Sequence, residues 1–396
     1  MKGKYVLAIV ISFFILLAGQ ALAADKAQTT WLKTAGLGEY TPATQDWKAI
    51  EKAAKKEGKV VIYSLSSRIF NLQEEFKKKY GIEIVAFDLS SGIQLERFRR
   101  EHKAGRYTVD VLFNRDIPVI LNEFLPKKLV WNFVPANMAP LLDADEKQPI
   151  LIQRWSSRVV FYNQTLNPDK PPVNSLWDLT RKEWEGKVLL PDPLTSAEDA
   201  NMFQTILQHP AEMAASYRKE FGNAIVISDE LKEVTKDLGI EPDAAKEWLH
   251  RVLKNKPIFI GSTTTVFKNI GDVKQKNPPV GITTYSKIRS NKEGVLNAQP
   301  VFDLEPVAAV SSAVTLLIAD RAPHPNAAKL LIRYMMEDGF KPWDVQGDYA
   351  ARSDVMAEQV SKYGGPSFQD LSKWIVDPDY INDTKYEFLQ LFINLR

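Results

Sequence analysis

The chain has 396 residues, no cysteine, and 51 Lys and Arg against 49 Asp and Glu. The missing cysteine excludes disulfides and thiol chemistry. The near-balance of charge excludes the basic footprint of a nucleic-acid binder or of a protein drawn to anionic membranes.

Residues 1–23 read as a secretory signal peptide, with basic Lys2 and Lys4, an apolar run from Tyr5 to Ala18, and the small-x-small site Ala21-Leu22-Ala23. Cleavage after Ala23 would place the protein in the periplasm. About 370 residues would remain, more than one hydrophobic core usually takes, so two domains are expected. Residues 24–46 read as a polar leader. A helix is expected over 47–57, stopped by Gly58, with Trp47, Ile50, Ala53 and Ala54 on one face. A strand over 59–63, a helix over 69–80 ending at Gly81, a strand over 82–87, a helix over 93–104 and a strand over 109–113 follow. This alternation implies a parallel sheet with covering helices. It restarts with a strand at 158–162, a short helix after Ser175, a strand over 186–190 and a helix over 197–208. A helix-rich block over 212–256, strands at 257–260 and 280–285, β-like structure over 301–318 and a helix from Pro325 complete the chain.

Ligands of open α/β sheets bind outside the carboxyl ends of the strands, so the residues after each strand are the candidate site. These are Ser64, Ser66, Ser67 and Arg68; Ser90 and Ser91; Asn114 and Arg115; Thr195 and Ser196; Ser262, Thr263 and Thr264; and Tyr285. Arg158 stands in the strand that restarts the pattern. Ser and Thr are also the standard helix caps, a role compatible with ligand contact. Helix N-termini favour anions, and the three arginines suit carboxylate, phosphonate or phosphate. The four histidines share no motif, and no H-E-x-x-H, G-x-S-x-G or Walker pattern occurs, so no catalytic residue, enzyme activity or cofactor is expected.

Several stretches carry a resemblance: Val61-Ile62-Tyr63-Ser64; Phe76 to Ile82; Ser91-Gly92; Val109-Asp110-Val111; Phe161-Tyr162-Asn163; Ser175 to Leu179 with Trp184 to Val188; Pro191-Asp192-Pro193 with Thr195-Ser196; and Pro323 to Lys329. Over most of residues 58–356 the chain resembles the type 2 extracellular solute-binding proteins of ABC transporters, which include ferric-ion, 2-aminoethylphosphonate and polyamine binders. The resemblance implies a two-lobed α/β fold, each lobe a mixed, mainly parallel sheet covered by helices, with the ligand in the cleft between. Lobe 1 is expected over 24–155 and lobe 2 over 156–300, with 301–396 crossing back and partly returning to lobe 1. The expected hinge lies near 155–162 and 300–310. The implied function is capture of a small organic anion by lobe closure, with an inner-membrane permease as partner and a monomer as the working form. Ferric binders of the family use a Tyr-Tyr pair near 284–285, so Tyr285 with Tyr349 makes a ferric site the alternative. A ligand sensor or a secreted enzyme on the same fold are further alternatives.

Overall fold

The computed structural model describes residues 26–396; the expected signal peptide lies outside them. Twelve strands form one sheet: β1 (Lys59–Ser64), β2 (Glu83–Asp88), β3 (Val111–Asn114), β4 (Val130–Trp131), β5 (Ile152–Asn163), β6 (Val188–Leu190), β7 (Ile258–Phe259), β8 (Val280–Thr284), β9 (Ala298–Pro300), β10 (Ala309–Ala319), β11 (Asp348–Ala350) and β12 (Lys373–Ile375). The main order is β2-β1-β3-β10-β5-β8-β6-β7.

At one end β1, β2 and β3 run parallel, as the strand–helix alternation implies. Val60 and Ile62 of β1 are fully buried. The preceding helix Trp47–Glu57 starts where the Asp46 carboxylate accepts the Ala49 N–H at 3.0 Å. It stops at Gly58, whose φ of +76° a residue with a Cβ would resist. At the other end β6 pairs parallel with β7 and β8. The two longest strands, β5 and β10, pair antiparallel between these ends, in a register from Ala309↔Val159 to Thr315↔Ile152. The Ser157 and Ser311 hydroxyls meet at 2.8 Å in their buried centre.

The interior holds two apolar clusters, the first of which also reaches Leu189 of β6 and Phe267. One core gathers Phe76, Leu112, Phe113, Leu330 and Trp343 around β1 to β3. The other gathers Trp177, Phe203, Trp248 and Val280 around β6 and β8. The architecture is two-lobed α/β, with β5 and β10 running between the lobes.

Four sequence expectations change. Residues 26–35 are a helix, not a polar leader: Leu32 and Ala35 are buried in the first core, and the Trp31 indole donates to the Ala322 carbonyl at 3.0 Å. β5 starts at Ile152 rather than 158, because Gln153, Arg154, Ser156 and Ser157 are polar yet buried. The span 301–318 is broken: 301–308 is irregular, with Val301, Leu304 and Val307 in the second core, and the strand begins at Ala309. A further helix not among the expected elements, Thr263–Gly271, buries Val266, Phe267 and Ile270 and opens at Ser262, whose hydroxyl accepts the Thr265 N–H at 3.3 Å. The chain ends in the helix Pro378–Leu395.

Candidate functional site

A cavity of about 200 Å³ lies where the carboxyl ends of β1 and β8 meet the face of β5. Past β1 come Leu65, Ser66 and Arg68; past β8 come Ser286 and Lys287, with Thr284 at its last position. Strand alternation puts Arg154, Ser156 and Arg158 on one face of β5, and the first two line the cavity. Four helix N-termini border it. Ser66 caps the 3₁₀ helix Ser67–Leu72, and Ser90 precedes the helix Ser91–Lys103. Glu198 lies in the first turn of the helix Ala197–Leu207, and Thr263 opens Thr263–Gly271. Free N–H groups and the positive dipole end make each a favourable place for negative charge.

Six cations, Arg68, Arg115, Arg154, Arg158, Lys287 and Arg289, surround this cavity against three carboxylates, Glu198, Asp199 and Asp348. Asp348 takes Arg68 at 2.8 Å and stands 3.6 Å from Arg154. Asp199 pairs with Arg158, whose guanidinium also reaches the Thr284 hydroxyl at 3.4 Å. Glu198 accepts the Ser91 hydroxyl at 2.5 Å and pairs with Arg115, so it bridges the cleft from the lobe 2 side. The surplus is positive. The Nε atoms of Arg115 and Arg154 are buried without a hydrogen-bond partner among the described residues.

The proton equilibria report the same field. Burial, then the charges of Arg289 and Arg68, push Lys287 down to about 8. Burial, against the pull of Asp348, lowers Arg154 to about 10. Burial alone would raise Glu198, but Arg115 and Ser91 outweigh it and hold the carboxyl at about 2. The local field is net positive and keeps the Glu198 carboxyl ionised.

The bacterial extracellular solute-binding protein family matches residues 71–343. The chain belongs to that family. Three solved structures share the fold of this solute-binding protein. Iron-bound HitA from Pseudomonas aeruginosa matches with a TM-score of 0.62 at 16% identity, over 85% of this chain and 99% of that one. The ferric binding protein from Campylobacter jejuni matches at 0.59 and 16%, over 85% and 99%. A putative spermidine/putrescine ABC transporter protein from Listeria monocytogenes matches at 0.56 and 15%, over 85% and 98%. At these identities the likeness is one of fold. A search of curated proteins finds no match.

Of the residues expected at the site, Ser66, Arg68, Ser90, Arg115 and Thr263 line the cavity. Ser91 joins through Glu198, Arg158 through Asp199 and Thr284, and Thr264 by accepting the Lys287 ammonium at 2.7 Å. The others do not face it. Ser64 is fully buried, its hydroxyl spent on the Ser66 backbone at 2.8 Å. Ser67 is exposed in its 3₁₀ turn, and Ser262 is exposed and serves as a cap. Asn114 is a buried brace holding the Ser91 carbonyl at 3.1 Å and the Asp116 N–H at 2.8 Å. Thr195 and Ser196 line a different cavity, of about 460 Å³, under the C-terminal helix.

Tyr285 points away from the cleft. It packs against Phe302 and Tyr349, the two tyrosine rings 6.2 Å apart. Its hydroxyl accepts from Gln346 at 3.3 Å, while Tyr349 donates to the Pro366 carbonyl at 3.3 Å. Gly347 makes this possible: a Cβ there would meet the Tyr285 ring at 2.6 Å. Burial lifts Tyr285 to about 12 and raises Tyr349 further still, against the tyrosinate a ferric site needs. Among the described residues no group of three His, Cys, Asp or Glu is placed to hold a metal.

Sequence reasoning missed Arg154, Ser156, Glu198, Ser286, Lys287 and Asp348. The alternation Arg154-x-Ser156-x-Arg158 was a usable signal once β5 is extended backward. Ser286 and Lys287 lie just past the end of β8, directly after Tyr285. Glu198 reads as an ordinary first-turn acid behind the Ser196 cap, and nothing local marks Asp348.

Proposed function

We propose that this solute-binding protein is the periplasmic substrate-binding component of an ABC transporter and captures a small organic anion, a carboxylate, phosphonate or phosphate, by closure of its lobes. The observation that carries this reading is the excess of six cations over three carboxylates around one cavity. A buried, uncompensated positive field is costly, and an anion accepting from Lys287 and the spare guanidinium donors relieves it. Lobe 1 spans 24–155 and lobe 2 spans 156–300, with the remainder crossing back. β5 and β10 form the flexing pair, a hinge repertoire common in two-lobed binders. Closure buries the ligand and shapes the surface that a permease reads. The protein acts as a monomer, its signal peptide is removed after Ala23, and it turns nothing over.

The test is a thermal-shift screen of the chain from residue 24 onward with carboxylates, phosphonates, sugar phosphates, polyamines and ferric citrate. A ligand at 100 times its Kd adds about 2.7 kcal/mol, a shift of a few degrees. A shift with one anionic class supports the reading. A shift confined to polyamines or to iron overturns it.

A further inference from the structure

The larger cavity, about 460 Å³, falls inside the range of about 300–1,000 Å³ typical of small-molecule sites. Three separated stretches wall it: 116–119, 193–204 and 381–389. It adjoins the Arg115–Glu198 bridge, since Asp116 and Ala197 are the chain neighbours of that pair, yet its character is opposite to that of the cleft. Its walls are mainly apolar, with Val119, Ala200 and Phe388 among them. Three polar side chains, each more than nine-tenths buried, are set into them: Asp116 at 4% exposure, Asn201 at 6% and Gln204 at 2%.

Asp116 makes no ion pair among the described residues. Lys385 of the C-terminal helix lines the same cavity, and its field, with the nearby Val119 backbone and Asn201 side chain, favours the charged carboxylate. Buried carboxylates are ordinarily paired, because desolvation of an isolated charge outweighs neutral hydrogen bonds. A carboxyl kept on the wall of an apolar chamber is therefore matched to an occupant that brings a positive donor and hydrocarbon together.

The geometry points to a second binding site here, for a small primary amine with an apolar body. The ammonium donates to Asp116 and the Asn201 amide oxygen, and the hydrocarbon packs on Val119, Ala200 and Phe388. The site is separate from the anion cleft and does not depend on that assignment. Burial and the neighbouring Glu198 charge raise the Asp116 carboxyl to about 6, while Asn201, the Val119 N–H and Lys385 oppose the rise. Amine binding therefore weakens as pH falls through that value, where the carboxylate is lost.

Phenethylamine is a suitable probe, titrated calorimetrically into the full mature chain, with propylbenzene as its uncharged counterpart. The expected result is a single site with Kd of about 1 mM or tighter at pH 7.5. Binding should weaken about tenfold or more in Asp116→Asn, which keeps the shape and removes the charge, and in Ala200→Phe, which fills the chamber. It should persist in Lys287→Gln, which alters only the cleft, and propylbenzene should bind more weakly. No saturable amine binding, equal binding of propylbenzene, or binding unchanged in both Asp116→Asn and Ala200→Phe would overturn the assignment.

Discussion

Lys287 carries the sharpest chemistry in the cleft. It lies three positions past the end of β8, and its ammonium is held by the Thr264 hydroxyl at 2.7 Å. Arg289, Arg68 and Arg158 repel its charge, and Asp348 only partly offsets them. An anion bound beside it reverses the balance and restores the proton. Because the free protein holds Lys287 at about 8, anion binding above that pH must take up a proton, so affinity falls as pH rises through about 8 and is flat below it. Lys287→Gln should weaken anion binding about tenfold or more and flatten this profile, both read by calorimetry between about pH 6.5 and 9.5. A profile that stays steep in the variant would assign the titration to another group. The two tyrosines show the same dependence on surroundings with the opposite result. Tyr285 and Tyr349 are neighbours, but burial keeps both protonated, so replacing Tyr285 by Phe should leave ligand affinity unchanged and lower only the melting temperature.

At the scale of elements, the helix Ala197–Leu207 does two jobs with one turn. Ser196 caps it by accepting the Asp199 N–H at 3.4 Å, and Glu198, one residue into the helix, reaches Ser91 and Arg115 across the cleft. This contact joins the N-terminus of one lobe's helix to that of the other through a carboxylate, and the favourable field of both dipole ends stabilises it. Glu198→Gln keeps the side-chain shape but removes the charge that pairs with Arg115. The free variant should open, giving a larger radius of gyration in X-ray scattering than the wild type under the same conditions. An unchanged radius would show that β5, β10 and the C-terminal helix alone set the lobe separation.

On the scale of the whole molecule, the C-terminal helix Pro378–Leu395 ties the two cores together. Its start touches the first lobe, where Asn122 donates to the Pro378 carbonyl at 3.2 Å. Its end buries Phe388, Leu391, Phe392 and Leu395 in the second core. Full burial of each such side chain stabilises by about 2 kcal/mol, an upper figure since unfolded chains already bury part of that surface. Truncation after Val376 should therefore lower the melting temperature and split calorimetric unfolding into two transitions, the second lobe melting first. A single transition at the wild-type temperature would show that the helix is dispensable to both cores.

Much of this architecture is legible in the chain itself. Gly58 and Gly81 end helices where the pattern places them, and the strand–helix alternation from 47 to 114 carries its own periodicity. Ser66 and Ser196 announce helix starts, and the residues that follow the strand ends include Arg68, Arg115 and Thr263. Those signals are local, recording which face of a short segment is buried. Long-range pairing leaves no such mark. That Asp348 meets Arg68, that Glu198 meets Ser91 and Arg115, and that Arg154 turns into the cleft while Tyr285 turns away were settled only when distant segments packed. The sequence by itself determined the kinds of elements, their order and the family. The tertiary structure decided the sign of the cleft and the place of each charge, because a site's electrostatics depend on distances between residues that the chain holds hundreds of positions apart.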